Sequence, residues 1–198
     1  GGSEALDEPY LTISFRKLVQ KRARWLVVIF LGEMLTASVT GFFEGELHRV
    51  TMLVTFMPLI LSTGGNSGSQ AATLIIRAMS VGEFGLRDWF RIMKREILAG
   101  LALGLIFGIL GLLRVTVWQM LFHLYGIHWL LIMITIGISL IGVVLWGTLI
   151  GSMMPFIMRS LGADPAVSSN PFVATLVDVT GLIIYFSVAT LLLTGTLL

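Results

Sequence analysis

Five stretches of this chain are apolar over about 20 residues each, the length an α-helix needs to cross about 30 Å of hydrocarbon. They run from about Trp25 to Phe43, Met52 to Met79, Ile97 to Trp118, Trp129 to Met154 and Pro171 to Leu193. Of 198 residues 56% are hydrophobic and only 12% charged, against about 25% charged in an ordinary soluble domain. A water-soluble fold would show alternating patterns; runs of spanning length dominate here. The sequence therefore predicts an all-α, polytopic membrane protein with five transmembrane helices and the lipid bilayer as its solvent.

Basic residues set the orientation, because cytoplasmic flanks of membrane helices collect Lys and Arg. Arg16, Lys17, Lys21, Arg22 and Arg24 precede the first span, and Arg77, Arg87, Arg91, Lys94 and Arg95 separate the second from the third. The opposite flanks hold Arg49 and Arg114. An odd number of crossings follows, with the N-terminus cytoplasmic and the C-terminus outside. This clustering at helix ends makes the net charge of +2 a topology signal, and no nucleic-acid partner is expected. The absence of cysteine excludes a disulfide framework and a thiolate metal site.

Residues 1–3, Gly-Gly-Ser, read as a cloning scar. Residues 4–24 read as an amphipathic cytoplasmic or interfacial segment, in which Leu11, Phe15 and Leu18 share a stripe opposite Arg16, Lys17, Gln20 and Lys21. Residues 25–198 form the membrane domain. The charged stretch from Val81 to Glu96, with Trp89, Phe90 and Ile92, predicts a second interfacial helix feeding the third span. Gly100, Gly104 and Gly108, and Gly147 with Gly151, are small-xxx-small stripes of the kind that bring helices together in lipid. Pro58 should bend the second span, leaving a neighbouring helix to help satisfy the freed backbone group.

An ionisable side chain deep in a bilayer is costly and therefore a functional candidate. Asp178 lies seven residues past Pro171, well inside the fifth span, with no basic neighbour in sequence. Helical fours counted back from it reach Ala174 and Asn170, so a carboxylate, a backbone carbonyl and a carboxamide share one face. Hard oxygen donors in a sparse set suit Mg²⁺, which keeps much of its water shell, and also Ca²⁺ or Mn²⁺. Two copies of Asp178 across a symmetry axis would favour a divalent cation between them. The alternative is a hydrogen-bonded acid gluing helices together.

Glu33, in the first span, has no ligand-like companion on its own helix and reads as a packing or accessory acid. Glu44 and Glu46 at the outer end either focus cations electrostatically or form a solvated loop. The run Gly64, Gly65, Asn66, Ser67, Gly68, Ser69, Gln70 is costly in lipid unless it faces protein or water, as a hydrated lining or as a close, polar helix crossing. His48, His123 and His128 lack the spacing of a helix-borne zinc pair. No phosphate-binding G-x-x-x-x-G-K-[ST] or G-x-S-x-G elbow occurs. Three classes remain: a divalent-cation transporter; an intramembrane enzyme using Asp178 and Glu33 as an acid/base pair; and a non-conducting scaffold. The enzyme would require the two acids on facing helices within hydrogen-bond reach and no continuous hydrated path.

The stretch STGGNSGSQAATLIIRA from Ser62 and the stretch LGADPAVSSNPFVATLVDVTG from Leu161 to Gly181 resemble the MgtE family. With the five-span layout, the likeness covers the chain after about residue 10. It implies the pore domain of a non-enzymatic, homodimeric Mg²⁺ channel or transporter of the plasma membrane. Its pore would run along the subunit interface, lined chiefly by the second and fifth helices. Asp178 matches the central pore carboxylate, with Asn170 and Ala174 flanking the ion site. Asn66, with Gly65, matches the polar kink bordering the pore, and Glu44 an acid near the outer mouth; Pro171 and Gly181 complete the candidate lining. Mn²⁺ or Co²⁺ transport is the alternative within that reading. The large cytosolic Mg²⁺-sensing domains that precede the membrane part in such proteins are not in this sequence, and the segment from Leu11 to Arg24 resembles the connecting plug helix.

Overall fold

The computed structural model of the chain describes residues 6, 8–43, 45 and 51–195, without the side chain of Ser168, and these residues contain no β-strand. They form α1 (Phe15–Phe42), α2 (Thr51–Ser80), a 3₁₀ turn (Leu86–Asp88), α3 (Trp89–Phe122), α4 (Trp129–Ser160) and α5 (Pro165–Leu193). Glu44, Glu46, His48 and Arg49 lie outside the described residues.

Among the described residues four helices are long and apolar enough to cross a membrane: Phe15–Phe42, Leu86–Phe122, Trp129–Ser160 and Ser169–Leu193. At 30 residues α2 has the length, but its polar run from Gly64 to Gln70 keeps it out of that set. The predicted interfacial helix before the first span is not a separate element. Pro9 to Thr12 form a turn, Ser14 caps α1 by accepting from the Lys17 amide at 3.4 Å, and the helix then runs unbroken into the apolar segment. No Gly or Pro occurs between Phe15 and Leu31 to stop it. Likewise the 3₁₀ turn leads directly into α3. At α5, Asp164 accepts from the Ala166 amide at 2.9 Å and Pro165 takes the first turn, where its missing N–H costs nothing.

Helix directions follow from which residues meet. A Cβ at Gly32 would strike the Thr175 side chain, and Phe43 stacks on Phe186 at 4.8 Å. The separation is the same in both pairs (175 − 32 = 186 − 43 = 143), so α1 and α5 run parallel. Along α2 and α5 the meetings are Leu61 with Gly181, Gly64 with Val177 and Gly68 with Val173, an antiparallel register. Gly147 of α4 abuts the Gly64 backbone and Gly151 the Gly68 backbone, so α4 runs parallel to α2. The glycine stripe of α3 packs antiparallel on α4: Gly100 against Leu145 and Thr148, Gly104 against Ile141, Gly108 against Gly137. Thus α1, α3 and α5 point one way and α2 and α4 the other.

With these directions, eleven of the thirteen Lys and Arg residues, now including Arg159 in the last turn of α4, gather at one end of the bundle. Helix α4 packs against α2, α3 and α5, whereas α1 leans on α5. The apolar core holds Phe56 and Ile60 of α2, Ile136 and Val143 of α4, and Tyr185 and Phe186 of α5. Tyr185 is fully buried, and its hydroxyl donates to the Leu53 carbonyl at 2.8 Å. That carbonyl lies in the turn before Pro58, whose ring denies the Val54 carbonyl its usual donor, so α5 supplies a polar tie where the α2 ladder is weakened.

Candidate functional site

The polar run of α2 divides into two faces. Gly64, Ser67 and Gly68 are buried, and the absence of side chains at Gly64 and Gly68 lets the α2 backbone touch α4 and α5. On the other face Ser62, Asn66, Gln70 and Thr73 are open, a polar stripe at helical spacing. The Asn66 amide donates to Ser62 Oγ at 3.5 Å, and a groove of about 570 Å³ runs past Asn66, Ser69, Gln70, Thr73 and Leu74. Hydroxyl and amide side chains of this kind require water or protein beside them wherever a helix enters a bilayer.

Asp178 stands at the edge of the same run. It is half-buried on α5, and a Cβ added to Gly65 would lie 3.9 Å from its Oδ1. In the antiparallel register set by Leu61 with Gly181 and Gly64 with Val177, Gly65 and Asp178 lie at nearly the same level of the two helices. α5 stays helical through Pro171, so Asn170, Ala174 and Asp178 do share one face, each half-buried. Asn170 Oδ1 is buried and has no hydrogen-bond partner among the described residues; the same holds for Thr175 Oγ1 and Ser169 Oγ. Acceptors of this kind normally find a donor. Pro171 is buried, and Gly181 is buried against Leu61 and Val143 at the α2–α4–α5 junction. Glu44 is outside the described residues.

Glu33 of α1, 145 positions earlier in the chain (178 − 33), is close enough to Asp178 to act on its carboxyl electrostatically, and the sequence paired the two acids only in the enzyme reading. The signal was Gly32, whose lack of a side chain lets α1 close on Thr175 and bring the next residue toward Asp178. Spacing within one helix could not reveal that register. Among the described residues no three His, Cys, Asp or Glu side chains gather into a ligand cluster. The acidic pair, the Asn170 carboxamide and the open face of α2 form an oxygen-rich surface with few direct carboxylates. Such a surface suits a hard cation that retains most of its water.

The family model for MgtE, described as a divalent cation transporter, matches residues 57–188. The chain is 48% identical over 172 residues to a magnesium transporter MgtE of Thermus thermophilus, covering 87% of this chain and 36% of that protein. It is 33% identical over 175 residues to a magnesium transporter MgtE of Enterococcus faecalis, covering 88% and 37% respectively. A magnesium transporter MgtE of Bacillus subtilis is 29% identical over 170 residues, covering 86% and 36%. The chain thus spans a little over a third of the length of these relatives. The matched region takes in the polar run of α2, all of α3 and α4, and the Asp178 face of α5, and the chain belongs to the MgtE family of divalent cation transporters.

Proposed function

We propose that this membrane protein carries Mg²⁺ down its electrochemical gradient across the plasma membrane, along a hydrated path bordered by α2 and α5. The observation that carries the reading is the open polar face of α2 beside Asp178, at a depth where lipid would penalise both. Two copies of the chain, with these faces turned toward each other, cover the polar stripe and place two Asp178 carboxylates about one axis. In that arrangement Asp178 is the central acid, Asn170 and Ala174 flank it, and Gly65 and Asn66 border the path. Pro171 and Gly181 shape the path from behind, and Glu44 acts at the outer mouth. The names of the relatives favour Mg²⁺ as the cargo.

The five helices cross the bilayer with residues 4–24 at the cytoplasmic side and 25–198 as the membrane domain. Alternating helix directions and the gathering of basic residues at one end support this topology. α2 crosses too, because its polar run is sheltered by α4 and α5 on one side and by the partner copy and water on the other.

One observation bears on a second reading: the two acids of the acid/base enzyme interact electrostatically across α1 and α5. That meets part of what such an enzyme requires. The rest is a site closed to a hydrated path, and the polar groove along α2 argues against it.

The deciding measurement is Mg²⁺ entry into proteoliposomes loaded with a fluorescent indicator under an inside-negative potential. The unaltered chain conducts, Asp178→Ala does not, and both elute as folded dimers. Normal flux through Asp178→Ala would overturn the assignment of the central site.

A further inference from the structure

Between the start of α3 and the end of α4 the bundle carries an apolar groove of about 410 Å³, a volume in the range of ordinary ligand pockets. One wall is Leu86, Trp89 and Met93, and the other is Met153, Phe156 and Ile157. Its floor is firm: Phe156 is buried, stacks on Phe84 at 5.8 Å and packs with Ile75 and Met79 of α2. Its rim is open, with Leu86 41%, Trp89 48% and Ile157 47% exposed. Because α3 and α4 are antiparallel, Leu86 and Ser160 mark one level of the groove. Met93 and Met153 lie seven residues deeper on their walls (93 − 86 = 160 − 153 = 7), about 10 Å along a helix at ~1.5 Å per residue. The groove therefore runs inward from the basic end of the bundle, in the direction that a lipid chain takes.

Charge decides what such a groove holds. The 3₁₀ turn contacts α4 as well as α3, so Arg87, next to Leu86, and Arg159, next to Ser160, flank the mouth. Both are exposed, and neither forms an ion pair among the described residues. The nearest acid in sequence is engaged within the turn, where Asp88 accepts from the Gly85 amide at 2.9 Å. Other cations belong elsewhere: Lys94 sits over the Phe90 ring at 4.5 Å, and Arg95 shares a separate pocket with Glu83 and Glu96. Trp89 at the rim is a residue type that settles at headgroup level. A zwitterionic occupant leaves the two guanidinium groups without a net counter-charge. An anionic headgroup supplies it, and basic clefts between membrane helices hold such lipids.

We propose that this groove seats one acyl chain of an anionic phospholipid from the leaflet at the basic end, with its phosphate held between Arg87 and Arg159. The site shares no residue with the ion path, so it stands or falls apart from the transport reading.

The test uses the full chain in detergent and counts bound lipid by native mass spectrometry. Phosphatidylglycerol and phosphatidylcholine with the same acyl chains are titrated separately. The first phosphatidylglycerol per chain should bind about tenfold tighter or more than the first phosphatidylcholine. In the double variant Arg87→Gln, Arg159→Gln that preference should vanish. The double variant Arg16→Gln, Arg22→Gln, an equal loss of charge on α1, should keep it. Equal binding of the two lipids by the wild type overturns the proposal, and so does equal loss of preference in the two double variants, which would reduce it to surface charge.

Brominated acyl chains locate the tail, because bromine quenches a nearby indole. Brominated phosphatidylglycerol should quench most of the emission difference between the wild type and Trp89→Phe, and Ile157→Phe, which fills the groove, should weaken the binding of both lipids. An unquenched Trp89 overturns the seat for the tail whether or not Ile157→Phe folds. If Ile157→Phe alters the oligomeric mass and leaves lipid binding unchanged, the groove belongs to a second copy of the chain and the proposal falls.

Discussion

Gly151 rests its backbone directly against the backbone of Gly68, where α4 crosses α2. One turn away, Gly147 meets Gly64 in the same manner. This double contact has no side chain to absorb a change, and it lies immediately behind the polar face of α2. The position of that face therefore depends on four hydrogen atoms in place of side chains.

Gly151→Ala is expected to destabilise the protein by about 1 to 3 kcal/mol, the usual range for overpacking a close-fitted core. Thermal unfolding in detergent should show a lower Tm. Gly41→Ala is the control, because nothing lies within 4 Å of a Cβ there, and its Tm should match or slightly exceed the wild type. An unchanged Tm in Gly151→Ala would mean that α2 and α4 do not cross as described.

Neighbouring glycines should separate folding from transport. A Cβ at Gly64 would collide with Val143, whereas one at Gly65 meets Asp178 Oδ1 at 3.9 Å, an ordinary van der Waals distance. Gly65→Ala therefore fits, gains up to about 1 kcal/mol of helix propensity, and puts a methyl group where the carboxylate faces the ion path. Its Mg²⁺ flux should fall while its Tm holds. Gly64→Ala should lower Tm first, and the reverse pattern would place the path on the wrong side of α2.

Much of this arrangement is legible in the sequence where it depends on one helix at a time. The Gly100, Gly104, Gly108 stripe is evident from its spacing, and it packs on α4. The face shared by Asn170, Ala174 and Asp178 needs only an unbroken α5, which Pro171 does not interrupt. Features set by the register between helices were not legible. Glu33 has no companion on its own helix because its acidic neighbour lies on α5, and the partners of Gly147 and Gly151 emerge only when α2 is laid beside α4. The full length of α1 is not legible from hydropathy for a different reason: amphipathic and apolar segments with no breaker between them fold as one helix, wherever the membrane begins.

Tyr185→Phe tests the tie across the α2 bend. The phenyl ring keeps the packing but takes away the hydroxyl that donates to the Leu53 carbonyl, buried at 1% residue exposure. A loss of about 1 kcal/mol is expected, the typical net value of one such bond, read as a lower Tm or an earlier denaturation midpoint. Tyr185→Leu should cost more, because it removes ring contacts to Phe186 as well. Equal stability of Tyr185→Phe and wild type would indicate that the carbonyl finds another partner.

Asn170 gives the sharpest distinction between structural glue and an ion-facing group. Its Oδ1 is buried and accepts nothing from the described residues, so Asn170→Ala removes no hydrogen bond through that atom and relieves the cost of a buried, unpaired acceptor. A residue that only joined helices would reveal itself by a fall in Tm on this substitution. A residue whose carbonyl receives a water from the shell of a passing Mg²⁺ would leave Tm unchanged or raised and weaken the ion's hold. The expected result is a Tm at or above wild type together with a half-saturating Mg²⁺ concentration raised about five- to tenfold, the equivalent of one hydrogen bond of about 1 kcal/mol or slightly more. A lower Tm with unaltered flux would reassign Asn170 to the fold, and with it the claim that the Asn170, Ala174, Asp178 face borders the path.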